Sequence, residues 1–119
     1  SEFREPPKGL QLEVIVRKGE LIVADRNSGP LAPLPNKAAG YDFDGLAAYL
    51  QRVKMKFPEM TAATILLESD TPYDTLVQVM DKVRVLEVDN AGQTVQAELF
   101  PDISIGDAPA IDGAVRGGS

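Results

Sequence analysis

Carboxylates are the only side chains here that could do acid–base chemistry in quantity. The 119 residues include eighteen Asp and Glu, no histidine and no cysteine. Without imidazole the usual general base and the commonest metal ligand are missing. Without thiols there can be no disulfide, no thiol nucleophile and no thiolate metal site. Three carboxylate pairs are spaced closely enough to share a proton: Asp42/Asp44, Asp70/Asp74 and Asp102/Asp107. Each has a plainer explanation, because Asp42 and Asp74 stand where helices begin and the others sit in turns. The Asp-rich loop of an EF-hand is absent, which leaves at most a weak surface Ca²⁺ site at Asp102 or Asp107. There is no G-x-S-x-G, no P-loop and no dinucleotide fingerprint. The expectation is a protein that is not an enzyme and carries no cofactor. Binding is the class of function that remains.

A net charge of −6 argues against nucleic acid, since phosphate-backbone binding needs clustered Lys and Arg. The twelve basic residues are scattered apart from Arg52, Lys54 and Lys56, which on a helix make a solvated face. Apolar residues at 44% and charged residues at 25% suit one globular core. No apolar run approaches the roughly 20 residues that span a bilayer, and no signal peptide is visible. The opening Ser1-Glu2-Phe3 reads as a cloning remnant, and the chain starts without methionine. We expect an excised domain: residues 1–9 as remnant and lead-in, 10–106 as the domain, 107–119 as a flexible tail.

The elements that would position any binding surface follow from periodicity. LQLEVIVR alternates, with Leu10, Leu12, Val14 and Val16 on one face and Gln11, Glu13 and Arg17 opposite. Lys18-Gly19 makes a tight turn into ELIVA, which predicts a β-hairpin. Residues 25–41 contain Pro30, Pro33 and Pro35, which predict a long loop without strand or helix. Leu31 and Leu34 within it either pin the loop to its own domain or dock a partner. Asp42 caps a helix running to about Phe57, with Phe43, Leu46, Ala47, Leu50, Val53 and Phe57 on its apolar face and Pro58 stopping it. AATILLES, residues 62–69, fits a strand buried on both faces. A second helix follows, with Thr71 as N-cap, Pro72 in the first helical position and Asp74 completing a box-like cap. Its buried stripe is Tyr73, Leu76, Val77, Met80 and Val83. VRVLEV either extends that helix or begins a strand. Asp89-Asn90-Ala91-Gly92 is a turn, and Thr94 to Phe100 alternates as a strand with Val95, Ala97 and Leu99 on one side. The order is β-β-α-β-α-β, an α+β domain with two helices packed on one face of a small mixed β-sheet.

The segment ILLESDTPYDTLVQVMDKVR resembles the helix signature of the ExbD/TolR family of biopolymer transport proteins. In that family a buried strand ends in an acidic turn, and a Tyr opens a helix carrying a Val-Met-Asp step. Here these are Ile65–Glu68, Ser69-Asp70, Tyr73 and Val79-Met80-Asp81. ELFPDISIGDAP, residues 98–109, is similar to the ending of an ExbD-like subgroup. The chain departs from the commoner pattern after Arg84, where VLEVDNAGQTVQ replaces a short turn. The family's transmembrane helix and proton-carrying Asp have no counterpart here.

The resemblance implies the periplasmic domain of a single-pass bacterial inner-membrane protein. That protein would belong to a proton-motive-force-driven motor built with an ExbB/TolQ-like subunit, which it meets through a transmembrane part. It would act on a TonB/TolA-like protein through protein–protein contacts, and it would be a homodimer. The alternative within the family is anchoring to peptidoglycan. In this reading Tyr73 and Met80 lock the second helix onto the sheet. The candidate partner-binding residues are Leu31, Leu34, Tyr73, Asp74, Gln78, Asp81 and Leu99. An extended segment of the partner would add to the edge of the LQLEVIVR hairpin.

Overall fold

A computed structural model describes residues 3–110. Alternating apolar residues build β1 (Leu12–Val16), which turns through Lys18-Gly19 into β2 (Glu20–Asp25), antiparallel and in register from Leu12 opposite Asp25 to Val16 opposite Leu21. The proline-rich stretch does not stay a loop. It forms β3 (Gly29–Pro35), antiparallel to β2. Proline is compatible with a strand when its missing N–H faces away from the ladder, and β3 is the outermost strand of its sheet. A bulge between Val23 and Ala24 shifts the register. This shift lets Leu31 join Ala32 and Leu34 in the core, three residues apart though the two leucines are.

Helix α1 (Phe43–Lys56) begins as its sequence predicts, with Asp42 Oδ1 accepting from the Gly45 N–H at 2.9 Å. It buries Leu46, Tyr49, Leu50 and Val53. Tyr49 replaces the expected Ala47 in that stripe, because position 49 lies between 46 and 53 on the same line of the helix. Its hydroxyl donates to the Arg4 carbonyl at 2.6 Å, and Phe3 meets its ring edge-on at 5.6 Å. The lead-in is therefore part of the fold from Phe3 onward. Strand β4 (Ala62–Leu67) then runs parallel to β1.

Helix α2 (Tyr73–Arg84) starts differently from its sequence reading. Pro72 is the N-cap and gives no side-chain cap. The Thr71 hydroxyl instead donates to the Glu68 carbonyl at 2.7 Å, closing the turn after β4. The buried stripe is Val79 and Val83, flanked by half-buried Leu76, Val77 and Met80. Tyr73 is 78% exposed and locks nothing, because the buried positions of α2 fall in its second half, at Val79 and Val83.

The helix passes straight into β5 (Val85–Asn90), paired antiparallel with β6 (Gln93–Glu98) as a separate two-stranded ribbon. Leu99 and Phe100 leave this ribbon. Their N–H groups donate to Arg84 and Val83 at the end of α2, and both side chains are buried. Strand β7 (Asp102–Asp107) returns parallel to β4. Asp107 thus belongs to the sheet, and Ala108 N–H still bonds the Leu67 carbonyl at 2.8 Å. The rest of the expected tail, residues 111–119, lies outside the described residues.

The main sheet has the order β3-β2-β1-β4-β7, antiparallel on one side of β1 and parallel on the other. Both helices cover one face. Their buried residues join Leu12, Val14, Val16, Leu21, Val23, Ala63 and Ile65 in one cluster. Each parallel connection carries a helix back across the sheet, as such crossovers require. No helix among the described residues is long and apolar enough to cross a bilayer.

Candidate functional site

At least one carboxylate of each pair is already engaged locally. Asp42 caps α1 and lies 3.8 Å from Lys37. Asp70 pairs with Lys18 at 2.9 Å, which draws its carboxyl below the ordinary range and raises Lys18. Asp74 accepts from Gln78 at 2.8 Å, and Asp102 from the Thr61 hydroxyl at 2.7 Å. Asp102 and Asp107 stand at opposite ends of β7, too far apart to share an ion or a proton. Among the described residues no three acidic groups converge as a metal site would need. At the ends of β1 and β4, Arg17 bonds Glu68 at 3.1 Å, and the Tyr41 hydroxyl donates to the Arg17 carbonyl at 2.6 Å. Burial, with the Glu68 and Asp70 charges behind it, pushes the Tyr41 hydroxyl up. These contacts tie strand ends together.

Binding surfaces are easier to find. A sheet has two edges, and here they differ. On β3 the edge carries Pro30, Pro33 and Pro35, which have no N–H to offer. The lead-in also covers it: Arg4 N–H donates to the Leu31 carbonyl at 2.8 Å, and Arg4 Nη1 to the Pro30 carbonyl at 2.9 Å. The hairpin edge expected from LQLEVIVR does not exist, because β1 is central and paired on both sides. Among the described residues the open edge is β7. Its ladder to β4 begins with Asp102 N–H on the Thr61 carbonyl and ends with Ala108 N–H on Leu67, so even-numbered residues face inward. By the period of two, Ile103, Ile105 and Asp107 turn their N–H and C=O groups outward. Ile105 is 51% exposed although it sits opposite buried Ile65.

Of the expected partner-binding residues, Leu31, Leu34 and Leu99 are buried in the core and cannot meet a partner in this fold. Tyr73, Asp74, Gln78 and Asp81 are all exposed along α2. Gln78 and Asp81 join Lys82 and Arg84 in lining a groove of about 770 Å³, whose other wall is the base of the β5–β6 ribbon. Sequence reasoning missed Ile103 and Ile105 as edge residues. The alternation of DISIGD marks the two faces of an extended segment, but not that it forms the outermost strand of a sheet.

Comparison with family models, with curated proteins and with solved structures finds no match for this chain.

Proposed function

We propose that this chain is a non-catalytic interaction module that binds an extended protein segment by strand addition at β7. Its setting would be the periplasmic domain of an ExbD-like motor subunit. The observation that carries the binding mode is the contrast between edges: β3 is closed by prolines and Arg4, whereas β7 presents outward backbone groups beside exposed Ile105. Strand addition draws affinity from main-chain hydrogen bonds and selectivity from alternating side chains. Support for the biological setting comes from the resemblance of residues 65–84 to the ExbD/TolR helix signature, and from two helices on one face of a mixed sheet. On this reading the partner is a TonB/TolA-like protein, and an ExbB/TolQ-like subunit holds the motor in the inner membrane.

The test is an NMR titration of the chain with extended peptides from TonB-like periplasmic regions. Shifts are expected along Asp102–Asp107 and on the adjoining face of α2. Ile105→Pro removes an outward N–H while leaving the inward ladder to β4 intact, so it should abolish the shifts in a folded protein. Binding that survives this variant, or shifts elsewhere, contradicts the mode. Cosedimentation with cell wall in the absence of peptide binding would favour the anchoring alternative.

A further inference from the structure

Strand β7 carries an acid at each end and no base between them. Ile103 and Ile105 stand opposite Ala63 and Ile65 of the core, so their side chains lie on the helix-covered face of the sheet. By the period of two, Asp107 shares that face, while Asp102 and Ser104 take the other. Asp102 and Asp107 are both exposed, at the two ends of a six-residue strand, about 17 Å apart. Bases at the same ends of the sheet are engaged elsewhere: Arg17 with Glu68, Lys18 with Asp70, and Lys54 with the Met60 carbonyl. Among the described residues no ion pair reaches Asp102 or Asp107. The edge therefore offers outward backbone groups, two isoleucines and two negative charges.

We propose that the segment added at β7 is basic and antiparallel, with a Lys or Arg facing each acid and β-branched residues facing the two isoleucines. This rests on strand addition at β7 and supplies the chemistry of the partner. Opposite charges across a strand pair attract, and like charges repel. A chain of net charge −6 also draws a basic segment toward it before contact. The same two acids discourage acidic strands, including the equivalent strand of another copy. Antiparallel pairing is the more stable per residue. In that direction the first residue of a six-residue segment meets Asp107, the third Ile105, the fifth Ile103 and the sixth Asp102. The recognised pattern is then basic, any, β-branched, any, β-branched, basic. Its two cationic side chains leave the strand on opposite faces, as Asp107 and Asp102 do. A parallel segment needs the same pattern in reverse, so the order of residues reports the direction of binding.

The test is an NMR titration with end-capped peptides: Lys-Thr-Val-Thr-Val-Lys, the same peptide with Gln for both Lys, and the Lys peptide in reverse order. The first should shift Asp102–Asp107. The Gln peptide should bind there about 2- to 30-fold more weakly, the worth of two cross-strand charge pairs, and the gap should shrink in high salt. The reversed peptide should also bind more weakly. Asp102→Asn combined with Asp107→Asn should bind the Lys and Gln peptides equally. Asn at position 102 can still accept the Thr61 hydroxyl, so the fold is kept. Equal binding of Lys and Gln peptides at β7 by the parent chain leaves strand addition standing and overturns the basic partner. Tighter binding of the reversed peptide overturns the antiparallel direction. No shift at β7 with any peptide overturns strand addition and this proposal together. Shifts at β7 that grow with protein concentration alone name a second copy as the occupant and overturn it as well.

Discussion

Asp25 is the charged side chain buried among the described residues, and its surroundings explain why it is tolerated. Its carboxylate accepts the Gln11 and Ser28 N–H groups, each at 2.8 Å, joining the start of β1 to the β2–β3 turn. These bonds, Gln11 foremost, hold its carboxyl below the ordinary range against the opposing effect of burial. A depressed carboxylate contributes stability that is present above its unfolded pKa of roughly 4 and is lost as pH falls through the folded value. Asp25→Asn should cost about 1–3 kcal/mol at neutral pH, because one of the two N–H groups then meets an amide NH₂. The variant should also flatten the decline in stability below about pH 4, measured by urea unfolding across pH. An unchanged acid limb would show that Asp25 is not the group responsible. Ala91 offers the opposite opportunity. It holds φ at 55° in the turn of the β5–β6 arm, followed by Gly92 at 84°. Alanine is strained there, while Asn followed by Gly suits a turn with two positive φ angles. Ala91→Asn should slow hydrogen exchange across β5–β6 by an amount equivalent to about 0.5–1 kcal/mol.

Among the elements, α1 shows how a local preference and its context can disagree in sign. Helix propensity alone says that Gly45→Ala stabilises by about 1 kcal/mol. A Cβ at Gly45, however, would run into the Asp42 carboxylate and come within 3.0 Å of Leu34 Cδ2. The cap would have to move, and losing an N-cap costs about 1–2 kcal/mol. Gly45→Ala should therefore lower the melting temperature, as calorimetry can measure. A rise would mean that the cap relaxes freely. Strand β3 records a similar conflict. Three prolines at positions 30, 33 and 35 argue against a strand, and they do so correctly for any strand with two neighbours. The sequence cannot announce that this one has a single neighbour. Helix α2 was legible in extent, but its stripe was displaced. Tyr73 fits the apolar spacing, yet it is exposed. Val79 takes the buried place, so a charge belongs there, rather than at half-buried Met80, if the aim is to unfold the domain.

For the molecule as a whole, the main sheet and its helices form one cooperative unit to which the arm is appended. Leu86 and Ala97 face each other in register and in phase with Asn90 and Gln93, which flank the native two-residue turn, so an Asn-Gly turn can replace residues 87–96. The shortened chain keeps Leu86 and with it the packing of the ribbon's base on the core. It should melt cooperatively, with a midpoint lowered by no more than roughly 5–10 °C. Loss of cooperativity would show that the arm helps to hold the sheet together.

The hairpin of β1 and β2, the capped α1, the strand β4 and the amphipathic α2 could all be read directly from the residues, because each depends on periodicity and chain-end chemistry within a few positions. Strand β4, expected to be buried on both faces, buries only its Ala63 and Ile65 face. The poverty of catalytic groups was equally plain, since it needs only a count. Strand order needed the tertiary structure. Whether β3 or β7 is an edge, whether Leu99 is buried, and which face of the arm stays uncovered all depend on what packs beside them. Those neighbours are far away in sequence, and alternation marks the two faces of a strand without saying what lies against either one.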